Sequence, residues 1–178
     1  MFYRDGEWIY SIIDDKLYLT APNWDSPSIQ RKLMNQIDRD DPEREYRKTY
    51  QTGSKALFFG QCKDQNETWV PLLEKAYAKA HGDYGSLSGG WTGEGLEDLS
   101  GGVTTELLIS DILDLDGFWE NELSKVNQEF LFGCSIGRLD GGYGQRNGIR
   151  EGHAYVVMDA RTLKTGERLV KLRYADYL

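Results

Sequence analysis

Long apolar runs are missing from this 178-residue chain. No stretch approaches the roughly 20 consecutive apolar residues that cross a bilayer, so no transmembrane segment is expected. The first residues, Met1-Phe2-Tyr3-Arg4-Asp5-Gly6, lack the basic-then-apolar layout of a secretory leader. Cysteine is scarce. Cys62 and Cys134 give neither a disulfide framework nor metal-ligand spacing, and each sits in an apolar segment, as a buried free thiol does. A reducing, cytoplasmic compartment is the default for such a pair. Basic density is also missing: 21 Lys and Arg stand against 29 Asp and Glu, for a net charge of −8, with no Lys- or Arg-dense block. That field repels polyanions, so nucleic acid is excluded as a partner. It suits divalent cations, although a solvated acidic exterior is the commoner meaning.

What the chain does have is aromatic and glycine content: 5 Trp, 11 Tyr, 6 Phe and 20 Gly. Disordered chains are poor in aromatics, so this is a folded protein, long enough for one domain or two small lobes with a substantial core. Phe2 to Asp14 reads as two strands about an Asp5-Gly6 turn, with Trp8, Tyr10 and Ile12 alternating onto one face. Ser28–Asp38 has helical spacing, and Pro42 opens a second short, charged helix to Tyr50. This excursion reads as a surface insertion. Lys55–Cys62 reads as a short strand. The strongest helix follows, capped by Asn66, closed by Gly82, with Trp69, Leu72, Leu73, Ala76, Tyr77 and Ala80 on its apolar face; Pro71 falls in the tolerant first turns.

Eight glycines crowd residues 82–102, which reads as a hinge or close-packed backbone surface, or else as a linker; the interleaved Trp91, Leu96 and Leu99 favour order. Val103–Ser110 reads as a strand or the start of a helix, and Asp116–Gln128 as a helix. Segments 130–136, 153–160 and 168–173 read as strands, joined by a glycine-rich loop (Gly141–Gly152) and a Lys164-Thr165-Gly166 turn. The class is α+β, helix-rich first and antiparallel sheet last. Within it, Gly152-His153-Ala154-Tyr155 places one of only two histidines at a strand mouth. An imidazole held there is either an ordinary strand-end residue or a general base, since it titrates near neutrality.

Longer motifs add to this. Glu7-Trp8 with Asp14-Asp15, the run Asn66-Glu67-Thr68-Trp69-Val70-Pro71-Leu72-Leu73-Glu74-Lys75-Ala76-Tyr77-Ala78-Lys79, Ser88-Gly89-Gly90, Glu94-Gly95-Leu96-Glu97-Asp98-Leu99-Ser100-Gly101-Gly102-Val103, Gly133-Cys134-Ser135-Ile136 and Gly152-His153-Ala154-Tyr155 occur in this order. Together they resemble the calpain cysteine-protease core along nearly all of the chain, and the 20–60 excursion is most similar to the fungal calpain-like branch. The resemblance implies a papain-like core fragment: a helical remnant of the first lobe (1–88) and an antiparallel-sheet, truncated second lobe (89–178).

It further implies that His153 is the catalytic histidine, which activates a cysteine by ion pairing; such pairing lowers a thiol from about 8.5 by several units. Ser88, Gly89 and Gly90 match the stretch that joins the lobes and lines the cleft, where glycine lets an extended substrate lie against main chain. Trp91 is bulkier than the small polar residue relatives often carry there, and narrows that cleft. Glu67 matches a calcium-ligating glutamate, although one carboxylate is part of a site only, and a charge at a helix N-terminus is favourable in any case.

The departures matter equally. The family's nucleophile lies in a Gly-Asp-Cys-Trp-type motif ahead of Glu7-Trp8, and this sequence begins after it. Neither Cys62 nor Cys134 holds that position. Tyr174 stands where the triad asparagine belongs, and the family's shielding tryptophan and second-lobe calcium segment are missing. The expectation is therefore a calcium-dependent cysteine endopeptidase domain, acting on protein or peptide substrates, and inactive alone unless another segment supplies the cysteine. The alternative is a non-catalytic peptide-binding or regulatory module.

Overall fold

The computed structural model describes residues 1–33, 40–138 and 144–174. The chain opens with a hairpin of β1 (Phe2–Arg4) and β2 (Glu7–Ile9). Asp5 and Gly6 turn it with φ of 52° and 86°, the doubly left-handed geometry that matches strand twist. The expected second strand runs only to Ile9. Tyr10 and Ile12 are each 78% exposed, so the alternating face drawn from Trp8, Tyr10 and Ile12 is not a core face. The segment beyond is held to a helix instead of a sheet.

Contacts divide the chain into two units, Met1–Phe2 with Trp8–Gly89, and Tyr3–Glu7 with Gly90–Leu178. In the first unit, α1 (Pro27–Leu33) covers the start of the predicted Ser28–Asp38 helix; the rest lies outside the described residues. α2 (Pro42–Tyr50) forms where Pro42 places it. Asp41 caps it by accepting from the Arg44 amide at 3.0 Å, and Glu43 pairs with Arg47 one turn on. Its surface is mostly solvated, but Tyr46 is only 2% exposed. That ring packs on Trp24 and Tyr50, and its hydroxyl donates to the Pro22 carbonyl at 2.8 Å. The excursion thus carries a small aromatic core of its own.

α3 (Trp69–His81) is the long helix. Asn66 does not cap it. The boundary residue is Thr68, without a side-chain bond, while the Asn66 amide donates to the Asp64 carboxylate at 2.9 Å. Helical rotation turns Trp69 and Leu73 outward, leaves Leu72, Ala76, Tyr77 and Ala80 partly buried and buries Pro71 and Ala78, so the predicted apolar face is kept only in part. The other side fastens the segment after β2. Lys75 bonds the Asp14 carboxylate and the carbonyls of Asp14 and Lys16, Lys79 reaches the Ile12 carbonyl at 2.7 Å, and Ser11 donates to the Ala76 carbonyl at 2.7 Å. These side chains replace a strand partner.

The predicted 55–62 strand is absent. A 3-10 turn over Ser54–Ala56 leads to a single bridge, Leu19 with Leu57. Phe59 then stacks on Tyr84 at 3.7 Å, and the Gly60 amide donates to Glu74 at 2.6 Å, turning the chain out of extension. Gly82 closes α3 with φ of 116°.

In the second unit the glycine-rich stretch is ordered. It holds α4 (Thr92–Ser100), ended by Gly101 in the left-handed conformation. Val103–Ser110 forms neither strand nor α-helix: it is irregular up to a 3-10 turn at Ile109–Asp111, with Val103 96% exposed. α5 (Leu115–Asn121) is shorter than the predicted 116–128 helix and passes into a 3-10 turn at Leu123–Lys125. Asp114 caps it through the Gly117 amide. β3 (Gly133–Ile136), β6 (His153–Thr162) and β7 (Arg168–Tyr174) form an antiparallel sheet in the order β3-β6-β7, with β4 (Gln145–Arg146) and β5 (Ile149–Arg150) as a separate hairpin.

Trp119, Val126, Val157 and Ala160 make the buried core of this sheet, with Leu123, Phe132, Cys134 and Leu172 against it. The Trp119 indole donates to Thr162 at 3.1 Å, and Arg168 lies over its ring at 5.4 Å while bonding Asp116. Helices and antiparallel sheets together make the α+β class expected from the sequence. Among the described residues no helix is long and apolar enough to cross a membrane.

Candidate active site

His153 is the first residue of β6, directly after Gly152, whose φ of 67° lies in the left-handed region that favours glycine. The Gly152 amide donates to the Ile136 carbonyl at 2.8 Å, so the turn into the strand is pinned to β3. In the register, Ile136 faces His153 and Cys134 faces Tyr155. Strand alternation places His153, Tyr155 and Val157 on one side, and burial agrees: Tyr155 and Val157 are buried, His153 is half-buried, Ala154 and Val156 are exposed. The imidazole therefore lies at the end of the core-facing row, with one flank open to solvent.

Three residues build its surroundings. The Tyr174 ring, at the end of β7, meets the imidazole edge-on, 5.3 Å between centroids at 79°. Tyr155 lies 5.3 Å from Tyr174 at 35°, and the two pair across β6 and β7. Both phenols are tied to Arg150: its backbone amide donates to the Tyr155 oxygen at 2.7 Å, and its guanidinium donates to the Tyr174 oxygen at 3.2 Å. Beside them Glu151 is buried, its amide bonded to the Gly144 carbonyl. Among the described residues no hydrogen bond reaches either nitrogen of His153.

Cys134 does not complete this site. Cys134 stands opposite Tyr155, two residues along from the histidine's partner, and is part of the core. Burial pushes its thiol above the ordinary value, against thiolate formation. Cys62 is buried in the first unit, and both thiols are free.

The remaining predicted residues fall in both units. Ser88 and Gly89 end the first unit, while Gly90 opens the second, where no hydrogen bond joins it to His153 among the described residues. Gly89 has φ of 130°, and a β-carbon at Gly89 or Gly90 would meet nothing within 4 Å, so main chain is open there. Trp91 is exposed and helps line a cavity of about 470 Å³ with Tyr3, Glu94, Asp98 and Glu106, walls that disfavour an anion. Glu67 is exposed two residues ahead of α3, its amide bonded to the Asp64 carbonyl. Among the described residues it joins no cluster of side-chain metal ligands, and one carboxylate falls short of the six to eight oxygens calcium takes.

Sequence reasoning missed Arg150 and Tyr155. A signal existed: Asn147-Gly148, with φ of 50° and 86°, is the strongest short hairpin signature and builds the β4–β5 turn that delivers Arg150.

A model of the family described as "Calpain family cysteine protease" matches residues 47–174. The calpain-type cysteine protease DEK1 of Arabidopsis thaliana is 30% identical over 177 residues, 97% of this chain and 7% of that protein. Calpain clp-1 of Caenorhabditis elegans is 30% identical over 166 residues, 90% of this chain and 16% of that protein. Calpain-9 of Rattus norvegicus is 30% identical over 159 residues, 88% of this chain and 18% of that protein. The chain thus spans less than a fifth of the length of these relatives. With the match running from α2 to the end of β7, the chain belongs to the calpain family of cysteine proteases.

Proposed function

We propose that the second unit supplies the base of a calpain-type cysteine endopeptidase site, with His153 as that base, and that the attacking thiol belongs to a residue outside these 178. The carrying observation is the family match over β6 together with a half-buried imidazole set at the strand's first position by a left-handed glycine. Cys134 is an unsuitable nucleophile because burial holds its thiol protonated.

In this reading an imidazole nitrogen of His153 takes the proton of the incoming thiol. The thiolate forms a bond to the scissile carbonyl carbon, and the carbon–nitrogen bond breaks as the imidazolium returns its proton to the leaving amine. Water, deprotonated by the same ring, then displaces the sulfur and releases the acid. The lobes of a papain-like core correspond to 1–88 and 89–178, and the open main chain at Gly89 and Gly90, after Ser88, lets an extended protein substrate lie against it. Calcium is proposed on the family resemblance alone. Glu67 gives one carboxylate, so ligands besides it are needed, and no step here depends on the ion. Two free thiols fit a reducing, cytoplasmic setting.

The test is cleavage of a disordered peptide by the chain with calcium, alone and with a segment carrying the family's cysteine motif. No turnover alone and turnover on addition, lost in His153→Ala, is expected. Turnover by the isolated chain that disappears in Cys62→Ala or Cys134→Ala refutes the assignment. A second reading, a non-catalytic peptide-binding module, is favoured by the same open main chain; retention of extended peptides without cleavage in either arm would establish it.

A further inference from the structure

We propose that Tyr174 is a positioning residue for His153: its ring, steadied by Arg150, fixes the plane of the imidazole by aromatic contact in place of a hydrogen-bonding amide. The inference rests on the reading of His153 as the base, and goes beyond it in naming what aims that base.

Histidine side chains rotate about two bonds, so a base at a strand end needs something to hold its ring. The usual device is an acceptor that takes the second N–H and thereby fixes both orientation and tautomer. Here the neighbouring group is a phenol ring, edge-on at 5.3 Å and 79°, inside the range where aromatic pairs attract through their quadrupoles. For such a contact to aim the imidazole, the phenol must itself be fixed. Tyr174 meets that requirement twice. Its oxygen accepts from the Arg150 guanidinium at 3.2 Å, and its ring leans on Tyr155, which is buried in the sheet. Tyr155 in turn accepts from the Arg150 backbone at 2.7 Å. Arg150, Tyr155 and Tyr174 therefore close a circuit rooted in β5, β6 and β7, and the imidazole rests against its rim.

The consequence is a base with a defined ring plane and an unselected tautomer. An edge contact restrains rotation, and among the described residues no acceptor is dedicated to either ring nitrogen. A cysteine brought to this site would meet whichever nitrogen carries the lone pair.

Imidazole resonances read this directly, because the chain has only two histidines. The His81→Gln variant leaves His153 as the one signal. In that background the carbon-bound ring protons of His153 should be displaced from free-histidine positions by the Tyr174 ring current, the ring nitrogens should report mixed tautomers, and side-chain relaxation should show a restrained ring. Tyr174→Leu should abolish the displacement and free the ring. Tyr174→Phe should keep the displacement, and Arg150→Met should reduce it partly. Should Tyr174→Leu fail to fold, the phenylalanine and methionine variants still decide. Unchanged His153 signals in Tyr174→Leu, a single tautomer in the parent, a Tyr174→Phe variant that loses the displacement, or an Arg150→Met variant identical to the parent would overturn the proposal. The readout needs no cleavage. A chain inert with a supplied cysteine segment but showing the ring-held imidazole refutes the peptidase reading alone, and the reverse pattern refutes this one alone.

Discussion

Alkylation of Cys134 by iodoacetamide should rise about tenfold with each pH unit from about 6 to 8, because only the thiolate reacts and burial keeps its population small. An ordinary thiol, at about 8.5–9.0, is only about 1–3% thiolate at neutral pH, and the half-buried Cys134 sulfur, raised above 9.0, is less so. An imidazolium-paired sulfur behaves otherwise: it is almost wholly thiolate, and its rate is level from about pH 5 upward. Absolute rates at one pH do not separate the two. Thiolate nucleophilicity falls with pKa at a slope of roughly 0.4–0.5, which over several units offsets most of the hundredfold gain in thiolate. The slope against pH does separate them. Mass spectrometry of the peptides holding Cys134 and Cys62, after timed alkylation at a series of pH values, gives both profiles from one sample. His153→Ala should leave the Cys134 profile unchanged. A pH-independent Cys134 rate that becomes pH-dependent in His153→Ala would show an ion pair within this chain and refute the assignment of the nucleophile to a residue outside it. A thiol whose folded value is raised contributes stability that is present below its unfolded value and lost as pH rises through the folded one.

Gly152→Ala should destabilise the chain by about 1–2 kcal/mol in urea melts, because φ of 67° strains any β-carbon, while the added methyl makes only ordinary contact with the Arg138 side chain. Trp119→Phe should cost roughly 1–3 kcal/mol, through the lost bond to Thr162 and the weakened cation contact with Arg168; Thr162→Val should reproduce only the first of these losses, and a melt unchanged in Trp119→Phe would contradict the packing described. Lys75→Met should make residues 11–16 the earliest site of limited proteolysis, since Lys75 bonds three oxygens there. Asp14 is lowered chiefly by its hydrogen bond from Lys75 and next by that from the Lys16 amide, so the parent should gain stability above the unfolded carboxyl value and lose it as pH falls through the folded one, a dependence Lys75→Met reduces.

Much of the second unit was legible because its signals are local. The 153–160 and 168–173 strands and the Lys164-Thr165-Gly166 turn appear where alternation and turn chemistry put them, with Gly166 at φ of 88°. So does α2, whose proline start and charge order need no tertiary partner. The failures share a cause. The 55–62 segment has strand composition, yet Phe58 and Phe59 are drawn into ring contacts with each other and, through Phe59, with Tyr18 and Tyr84, and Gly60 is captured by Glu74 from fourteen residues away. The extended run after Ile9 has no strand partner, because lysines on α3 supply its carbonyls with donors. Those are long-range competitions, and no periodicity announces them.

The candidate site divides in the same way. A histidine after a glycine at a strand mouth is a local pattern that leaves an ordinary strand-end residue and a base both open, and it is the family resemblance that singles out His153. What surrounds the ring is not local. Arg150 reaches Tyr174 across twenty-four residues, and Tyr155 pairs with Tyr174 only because the β6–β7 register holds past an irregularity between Val157 and Asp159. That irregularity shifts which β7 residues face the core, and so decides that the terminal tyrosine, not Arg173, shares the histidine's side of the sheet. Arg173 pairs with the exposed Val156 and faces away. One residue of slip would exchange an aromatic neighbour for a cation beside the imidazole proposed as the base. Register, not residue type alone, thus settles what His153 can do.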